Sequence, residues 1–374
     1  MELLETIEDL LALMPRERID SVAVQGINLR PFEAEIMEIK WKDCLFLGCE
    51  MSGKLTCYLQ NGNYVFPHLN VPFKTYPRTL YSGALLYEGY DKENPESYGN
   101  CYDKRVYDYY IESVGQMSIK DSLAQVLHDH SITENLNAFL LPYSGHRIVA
   151  IMGGHALSRT DKMYRQVAVL SRSLTTMGYL MLSGGGPGAM EATHLGAWMA
   201  GRPDEEMDEA LQILSAAPLF NDKGWLETAF EVMERFPSPK YDSLGIPTWH
   251  YGHELATPFA TYIAKYFANS IREEGLLALA KGGIIYSPGS AGTMQEIFQD
   301  LAQNHYVSYE MSSPMIFLDK RYWTEERPVY PLLKDMSDSG KLNNILLTVT
   351  DTNEEAIEYI RTFTRTREQG QEGV

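Results

Sequence analysis

The sequence predicts an α/β protein: a doubly wound parallel sheet in the C-terminal part, preceded by an N-terminal α+β accessory domain. Three observations carry this. From residue 147 the chain repeats an apolar run, a glycine turn and a helix-periodic segment. RIVAIMGGH precedes DKMYRQVAVLSRSLTTM, YLMLS precedes GGGPG and AMEATHLGAWMA, and GGIIYS precedes PGSAGTMQE. Such a series is the pattern of a parallel sheet wrapped by helices, whose strands read as continuous apolar runs. Residues 20–66, by contrast, alternate in the manner of strands exposed on one face. The length of 374 residues suits two domains at roughly 100–200 residues each. The expected boundaries are a β-rich accessory domain over 1–140, the main domain over 141–366 with an insertion at about 202–241, and a disordered tail over 367–374.

Taken in order, MELLETIEDLLALMPRERID reads as an acidic amphipathic helix. SVAVQGINL, AEIMEIKW, CLFLGCEM, KLTCYLQ and NYVFP are strand candidates. Asn61-Gly62 between the last two suits a tight hairpin turn, where both central residues need positive φ. Residues 64–110 hold ten tyrosines among Pro, Asn and Gly, a pattern too irregular for a regular element. Tyrosine buries area and keeps a polar tip, which suits a segment wrapping another surface. A helix is expected over 118–130, with TENLNAFLLPYSGHR as a connection. In the main domain Gly178 and Gly201 suit the ends of the first two helices. The insertion carries two acidic helices, DEEMDEALQILSAA and WLETAFEVMERF, which suit a lid, a subunit contact or a plain decoration. SLGIPTW is a strand candidate, followed by a long helix over 257–272 and a short one over 274–281. The strand GGIIYS, a helix over 292–304, the strands PMIFLD and ILLTVT, and a helix over 353–365 complete the series. No short-period repeat is visible.

The formal charge of −18 argues against a nucleic-acid surface, which is built from Lys and Arg on phosphates. A local pocket can still differ from the net field and take a small phosphorylated ligand. No apolar run reaches the ~20 residues of a membrane span, and the acidic N-terminus lacks the basic start of a signal peptide. A cytoplasmic protein with neither membrane nor nucleic-acid partner is expected. Cys44, Cys49, Cys57 and Cys101 fit no zinc spacing and read as buried free thiols. His128-Asp129-His130 and His250 with His253 are metal-ligand candidates. They lack an evident third ligand, so no metal is expected.

Three glycine turns hold the chemistry: Gly153-Gly154 with His155, Gly184-Gly185-Gly186 with Gly188, and Gly289-Ser290-Ala291-Gly292 with Thr293. After parallel strands all three lie at the carboxyl edge, where ligands bind. Glycine lets the backbone approach an anion, and a helix N-terminus adds unpaired N–H groups and the positive end of its dipole, worth roughly 0.3–1 kcal/mol. A phosphate-containing ligand is expected; tight strand-to-helix turning alone is the alternative. Gly184, Gly186 and Ala189 also fit GxGxxG/A, a dinucleotide fingerprint. That turn follows the domain's second strand, and the acids at 204–206 sit in a helical run, both of which argue against a dinucleotide.

Thr293 and Glu296 lie three residues apart and share a helix face. With a phosphate at the helix N-terminus, Thr293 can donate to it, and Glu296 sits one turn deeper, near the ribose of a bound 5′-phosphate. A carboxylate there suits chemistry at the anomeric carbon, by stabilising an oxocarbenium-like state or activating water. Glu191, in GAMEA, is a second acid at the start of the other helix; favouring that helix's dipole is its alternative role.

SGGGPGAMEA and PGSAGTMQE resemble the paired motifs of the LOG ("lonely guy") phosphoribohydrolases, once labelled lysine decarboxylases. IVAIMGGHALSR is similar to the nucleotide 5′-monophosphate nucleosidases of that superfamily. The resemblance covers about residues 147–366. It implies a Rossmann-like fold, no cofactor, a homodimer or larger assembly, and hydrolysis of a nucleoside 5′-monophosphate to free base and ribose 5-phosphate. Of the family's PGGxGTxxE, this chain matches Pro288, Gly289, Gly292, Thr293 and Glu296, while Ser290 replaces a glycine. The family's catalytic arginine, one helix earlier, falls at Glu273 here; a one-residue shift makes Arg272 its equivalent. The resemblance therefore implies catalysis by Glu296 and Arg272. A Rossmann-fold sensor that holds a nucleotide intact is the alternative, favoured by Ser290 and the displaced arginine.

Overall fold

The computed structural model describes residues 1–371 and divides into two units. The first comprises Met1–Thr79 and Tyr109–Asn135, the second Leu80–Asp108 and the chain from Leu136 onward.

In the first unit short strands and helices alternate. They are β1 (Glu2–Leu4), α1 (Ile7–Leu13), β2 (Arg18–Asp20), β3 (Val22–Gln25), α2 (Glu33–Ile36), β4 (Lys40–Lys42), β5 (Leu45–Leu47), α3 (Gly53–Leu59) and β6 (Tyr64–Phe66). The strands run β1-β3-β5-β6, all parallel, and β2 pairs with β4, also parallel. The pairing advances by about 20 residues per strand, the period of stacked solenoid turns, which repeat every ~20–45 residues. This repeat is not visible as text because what recurs is burial. Val24 and Phe46 on strands, with Leu10, Ile36 and Leu55 on helices, are fully buried whatever their identity.

Several expectations are corrected here. KLTCYLQ is a helix, not a strand: Leu55 and Leu59, four apart, are both fully buried on one face, and Ser52 caps it by accepting from the Leu55 N–H. AEIMEIKW divides into α2 and β4. The N-terminal stretch opens on β1 before α1, which Thr6 caps. Gly62 does take positive φ, but it joins α3 to β6; β5 and β6 are parallel, so no hairpin forms. Three more helices follow: α4 (Gly83–Leu86), α5 (Tyr102–Ser113) and α6 (Ile119–Leu140). The tyrosine-rich stretch is thus partly helical, and α6 runs through most of the expected connection.

The second unit is built on β7 (Ile148–Met152), α7 (Lys162–Thr176), β8 (Leu180–Ser183), α8 (Ala189–Trp198), α9 (Asp204–Leu214), α10 (Trp225–Arg235), β9 (Ser243–Gly245), β10 (Tyr262–Ile263), α11 (Asn269–Leu279), β11 (Gly283–Tyr286), α12 (Ala291–Tyr306), β12 (Pro314–Leu318), α13 (Val329–Asp338), β13 (Leu346–Thr350) and α14 (Asn353–Gln371). The seven strands form one parallel sheet in the order β10-β9-β8-β7-β11-β12-β13. The fold class expected from the sequence, a Rossmann-like α/β sheet flanked by helices, is what the structure shows. Every residue of β7, β8, β11 and β12 is buried, as covering both faces requires. The chain starts at central β7, winds outward through β8 to β10, then returns to β11 on the other flank of β7. The topological switch point, where such sheets bind ligands, therefore lies between β7 and β11.

The expected helix over 257–272 does not form. Phe259, Ala260, Ile263, Ala264, Lys265, Tyr266 and Phe267 are all buried while Tyr262 is exposed, so burial does not follow a helical stripe. The run is extended chain, with β10 pairing to β9, and the helical periodicity begins only at Asn269. α11 then takes the place of both expected helices. The expected tail is helical to Gln371, since α14 continues there; residues 372–374 of that expectation lie outside the described residues. In the insertion, Met207, Ala210, Leu214, Ala229 and Val232 of α9 and α10 join the same apolar core as β7 and α7, so the pair is packed in rather than loosely appended.

Candidate functional site

The three glycine turns follow β7, β8 and β11, three adjacent strands, and they pack on one another. The Gly154 N–H donates to the Pro288 carbonyl at 3.1 Å, and the Ala189 N–H donates to the Gly154 carbonyl at 3.1 Å. Glycine is required where they touch. A Cβ on Gly188, whose φ is +68°, would lie 2.3 Å from the Gly154 oxygen, and one on Gly289 would lie 2.2 Å from Thr293 Oγ1. Beneath the second turn, Ser183 Oγ bonds to His194 Nε2 at 2.8 Å and accepts from the Gly185 N–H at 3.1 Å. Burial pushes His194 down to about 3, so it stays neutral within this support. Tyr322 donates to the Gly289 carbonyl at 2.5 Å and braces the third turn from outside.

A cleft of about 330 Å³ opens over these turns. Gly153, Gly154, His155, Arg272, Ser290, Ala291, Gly292, Thr293 and Glu296 line it, joined by Met190, Tyr251, Glu254, Glu273 and Gln295. Gly184 and Gly186 line a smaller recess that shares Met190, Tyr251, Glu254 and Arg272 with the cleft. Of the residues read from the glycine motifs, Gly185, Gly188, Gly289 and Glu191 line neither space, and the others meet in this one place. At the head of α12 the first intrahelical bond runs from the Met294 N–H to the Ser290 carbonyl, and no side chain caps this end. The amides of Ala291, Gly292 and Thr293 have no partner within the helix, which with the dipole makes an anion seat.

Arg272 on α11 lines both the cleft and the recess. Its Nε donates to the Ile246 carbonyl at 2.9 Å, which fixes the guanidinium. Its Nη2 would stand 2.3 Å from a Cβ on Gly184, so that glycine is the seat of the arginine. Glu296 on α12 is half-buried: part of its side chain meets the cleft, while protein packs densely around the carboxyl. Burial pushes that carboxyl up to about 7, the Arg272 charge lowers it and the Glu273 charge raises it further. One turn on, burial pushes Asp300 up to about 7 against the Tyr286 hydroxyl, which donates to it at 2.7 Å.

Glu191, expected at the phosphate seat, is not there. It is fully buried, with both oxygens on Arg159 at 2.5 and 2.9 Å and one also taking the Tyr164 hydroxyl at 2.8 Å. Arg159 further donates to the Ala217 carbonyl and to Thr228 Oγ1. The glutamate therefore ties α8 to the insertion. Gly185 and Gly188 likewise serve the turns rather than the cleft surface. Cys44, Cys49 and Cys101 are buried free thiols, whereas Cys57 is exposed. Among the described residues no cluster of three or more His, Cys, Asp or Glu side chains could hold a metal ion, and no helix is long and apolar enough to cross a membrane.

Tyr251 and Glu254 were hidden from the sequence by reading SLGIPTW as a strand through Trp249. β9 ends at Gly245, which puts WHYGHE in a loop at the carboxyl edge, the position at which site residues gather. Glu254 Oε1 stands 3.3 Å from His155 Nδ1, and Phe220 of the insertion meets the His155 ring edge-on at 5.6 Å between centres.

No family model and no curated protein matches the chain. Among solved structures it is similar to the molybdenum cofactor binding protein from the phototrophic bacterium Rippkaea orientalis, at 16% identity and a TM-score of 0.37 over 58% of this chain and 96% of that one. It is also similar to TM1055, at 17% identity and a TM-score of 0.35 over 57% of this chain and 98% of that one. Likeness this distant bears on neither family nor function.

Proposed function

We propose that the protein is a nucleoside 5′-monophosphate phosphoribohydrolase of the LOG type. The observation that carries the reading is the placement of Glu296 and Arg272 in one cleft with the uncapped head of α12. The amides of residues 291–293 and the Thr293 hydroxyl take the 5′-phosphate, and the ribose then reaches Glu296 one helical turn deeper. A water attacks C1′ as the N-glycosidic bond breaks, with the bonding pair leaving on the base nitrogen. Glu296 takes the proton of that water, while Arg272 stabilises the phosphate or the charge that develops in the step. The proton taken up by Glu296 then passes to that base nitrogen, so the free base leaves neutral, ribose 5-phosphate remains and the carboxylate is restored.

The test is incubation of the protein with AMP, GMP, CMP and UMP, followed by assay of free base and ribose 5-phosphate. Release is expected, with Glu296→Gln slower by roughly 10²–10⁴. A carboxyl near 7 acting as base gives a kcat/KM that rises through about pH 7 and then levels. Nucleotides recovered intact at high protein concentration would leave a binding protein in place of the enzyme.

A further inference from the structure

The turn over residues 249–254 is the part of the cleft wall that the proposed chemistry does not use. It is built to be rigid. Trp249 is fully buried and stacks on Phe267 at 4.5 Å between ring centres. Its indole N–H donates to Asp103 at 3.0 Å, and the same carboxylate oxygen takes the buried Lys265 ammonium at 2.6 Å. Gly252 accepts the Tyr107 ring so closely that a Cβ would lie 2.3 Å from it. The Glu254 N–H closes the turn on the Tyr251 carbonyl at 2.9 Å. Asp103 and Tyr107 thus brace this wall from behind.

On that rigid turn Tyr251 keeps 42% of its surface exposed, facing the cleft with Met190. Glu254 Oε1 meets His155, while Oε2 lies over Gly186, 3.7 Å from where a Cβ would be. With phosphate at the head of α12 and C1′ beside Glu296, the base falls to the rest of the lining, where Tyr251, Met190 and Glu254 stand with His155, Gln295 and Glu273; both Glu273 oxygens are already taken, by Asn269 and Gln295.

We infer that Tyr251 and Glu254 form a base-recognition wall that selects guanine, an inference resting on the nucleoside monophosphate reading of the site. Tyr251 supplies a stacking face, which every base can use. Glu254 supplies the choice, because a carboxylate only accepts hydrogen bonds and has two oxygens to do so. Guanine presents two adjacent donors, N1–H and the 2-amino group, which match those oxygens as a charge-assisted pair. Adenine and cytosine place a ring acceptor beside their amino group, and uracil flanks N3–H with two carbonyls, so each sets a lone pair against the carboxylate. Hypoxanthine keeps N1–H and loses the second donor. A site built for paired donors rejects bases that lack them.

Calorimetry in a Glu296→Gln background, where nucleotides survive, tests this with GMP, IMP, AMP and ribose 5-phosphate. GMP is expected to bind at least about tenfold more tightly than IMP or AMP, a difference of about 1.4 kcal/mol. Adding Glu254→Gln should bring the three nucleotides within roughly threefold of one another and leave ribose 5-phosphate unchanged. Adding Tyr251→Ala should weaken all three nucleotides and again spare ribose 5-phosphate. Equal binding of the nucleotides, or a guanine preference that survives Glu254→Gln, overturns the wall while ribose 5-phosphate binding upholds the site. If neither the nucleotides nor ribose 5-phosphate binds, both readings fall.

Discussion

Single residues in the cleft are placed by what is missing beside them. Arg272 can lie over the second turn only because Gly184 has no Cβ; an added methyl would sit 2.3 Å from Nη2 and 2.7 Å from the Met190 sulfur. Both neighbours are the ends of flexible side chains, so the fold can yield where the site cannot. Gly184→Ala is therefore expected to lower nucleotide cleavage by roughly ten- to a hundredfold through a misplaced guanidinium and to change the melting temperature little. Paired activity and melting measurements check this, and a large loss of stability with normal activity in the surviving folded fraction would refute it. Glu296 and Thr293 were legible because their spacing around the third glycine turn is local, whereas Arg272, on the preceding helix, was reached only through the family resemblance. Tyr251 and Glu254 were not, because their relation to the cleft depends on where β9 ends.

At the scale of elements, the glycines serve two purposes that the sequence could not separate. Some line the cleft; others let three strand-to-helix turns press backbone against backbone. Glu191 shows the same ambiguity. An acid in the first turn of a helix suits its dipole or a bound ligand equally well. Only the arrival of Arg159 from the loop after β7, together with Tyr164 of α7, turns it into a buried pair. Removing one member of such a pair leaves an uncompensated charge and costs about 3–5 kcal/mol. Glu191→Ala should therefore lose stability on that scale in urea unfolding; unchanged stability with abolished cleavage would restore the glutamate to the site. Helices with a clear apolar stripe, such as α7 and α12, were readable. The run before α11 was not, since its burial takes in Lys265 and spares Tyr262, a pattern that side-chain polarity does not announce. The first unit was misread for a related reason: strands of three or four residues are too short to show alternation, so helical segments between them passed as strands.

For the whole molecule, the winding of the sheet decides where the chemistry can be. Starting at β7 and returning to β11 brings turns that are far apart in sequence to one carboxyl edge, together with the uncapped amides at the head of α12. The site has a cost in stability. Burial raises the Glu296 and Asp300 carboxyls from 4.5 and 3.8 to about 7. Between those limits the folded chain holds more protons than the unfolded one, so this contribution to stability is full at low pH and is lost as pH rises through about 7. Glu296→Gln removes one such group. Its melting temperature relative to wild type should rise from about pH 5 to about pH 8, by roughly 2–4 °C for each kcal/mol relieved. A difference that is flat or falling with pH would contradict the burial of that carboxyl.

The central claim is that one cleft seats a phosphate at the head of α12 and a pentose against Glu296. A crystal structure with ribose 5-phosphate bound tests it most directly. The expected result is phosphate oxygens within hydrogen-bond reach of the amides of Ala291, Gly292 and Thr293, with C1′ facing the Glu296 carboxyl. Phosphate bound elsewhere, or a sugar turned away from Glu296 with the cleft otherwise unchanged, would contradict it.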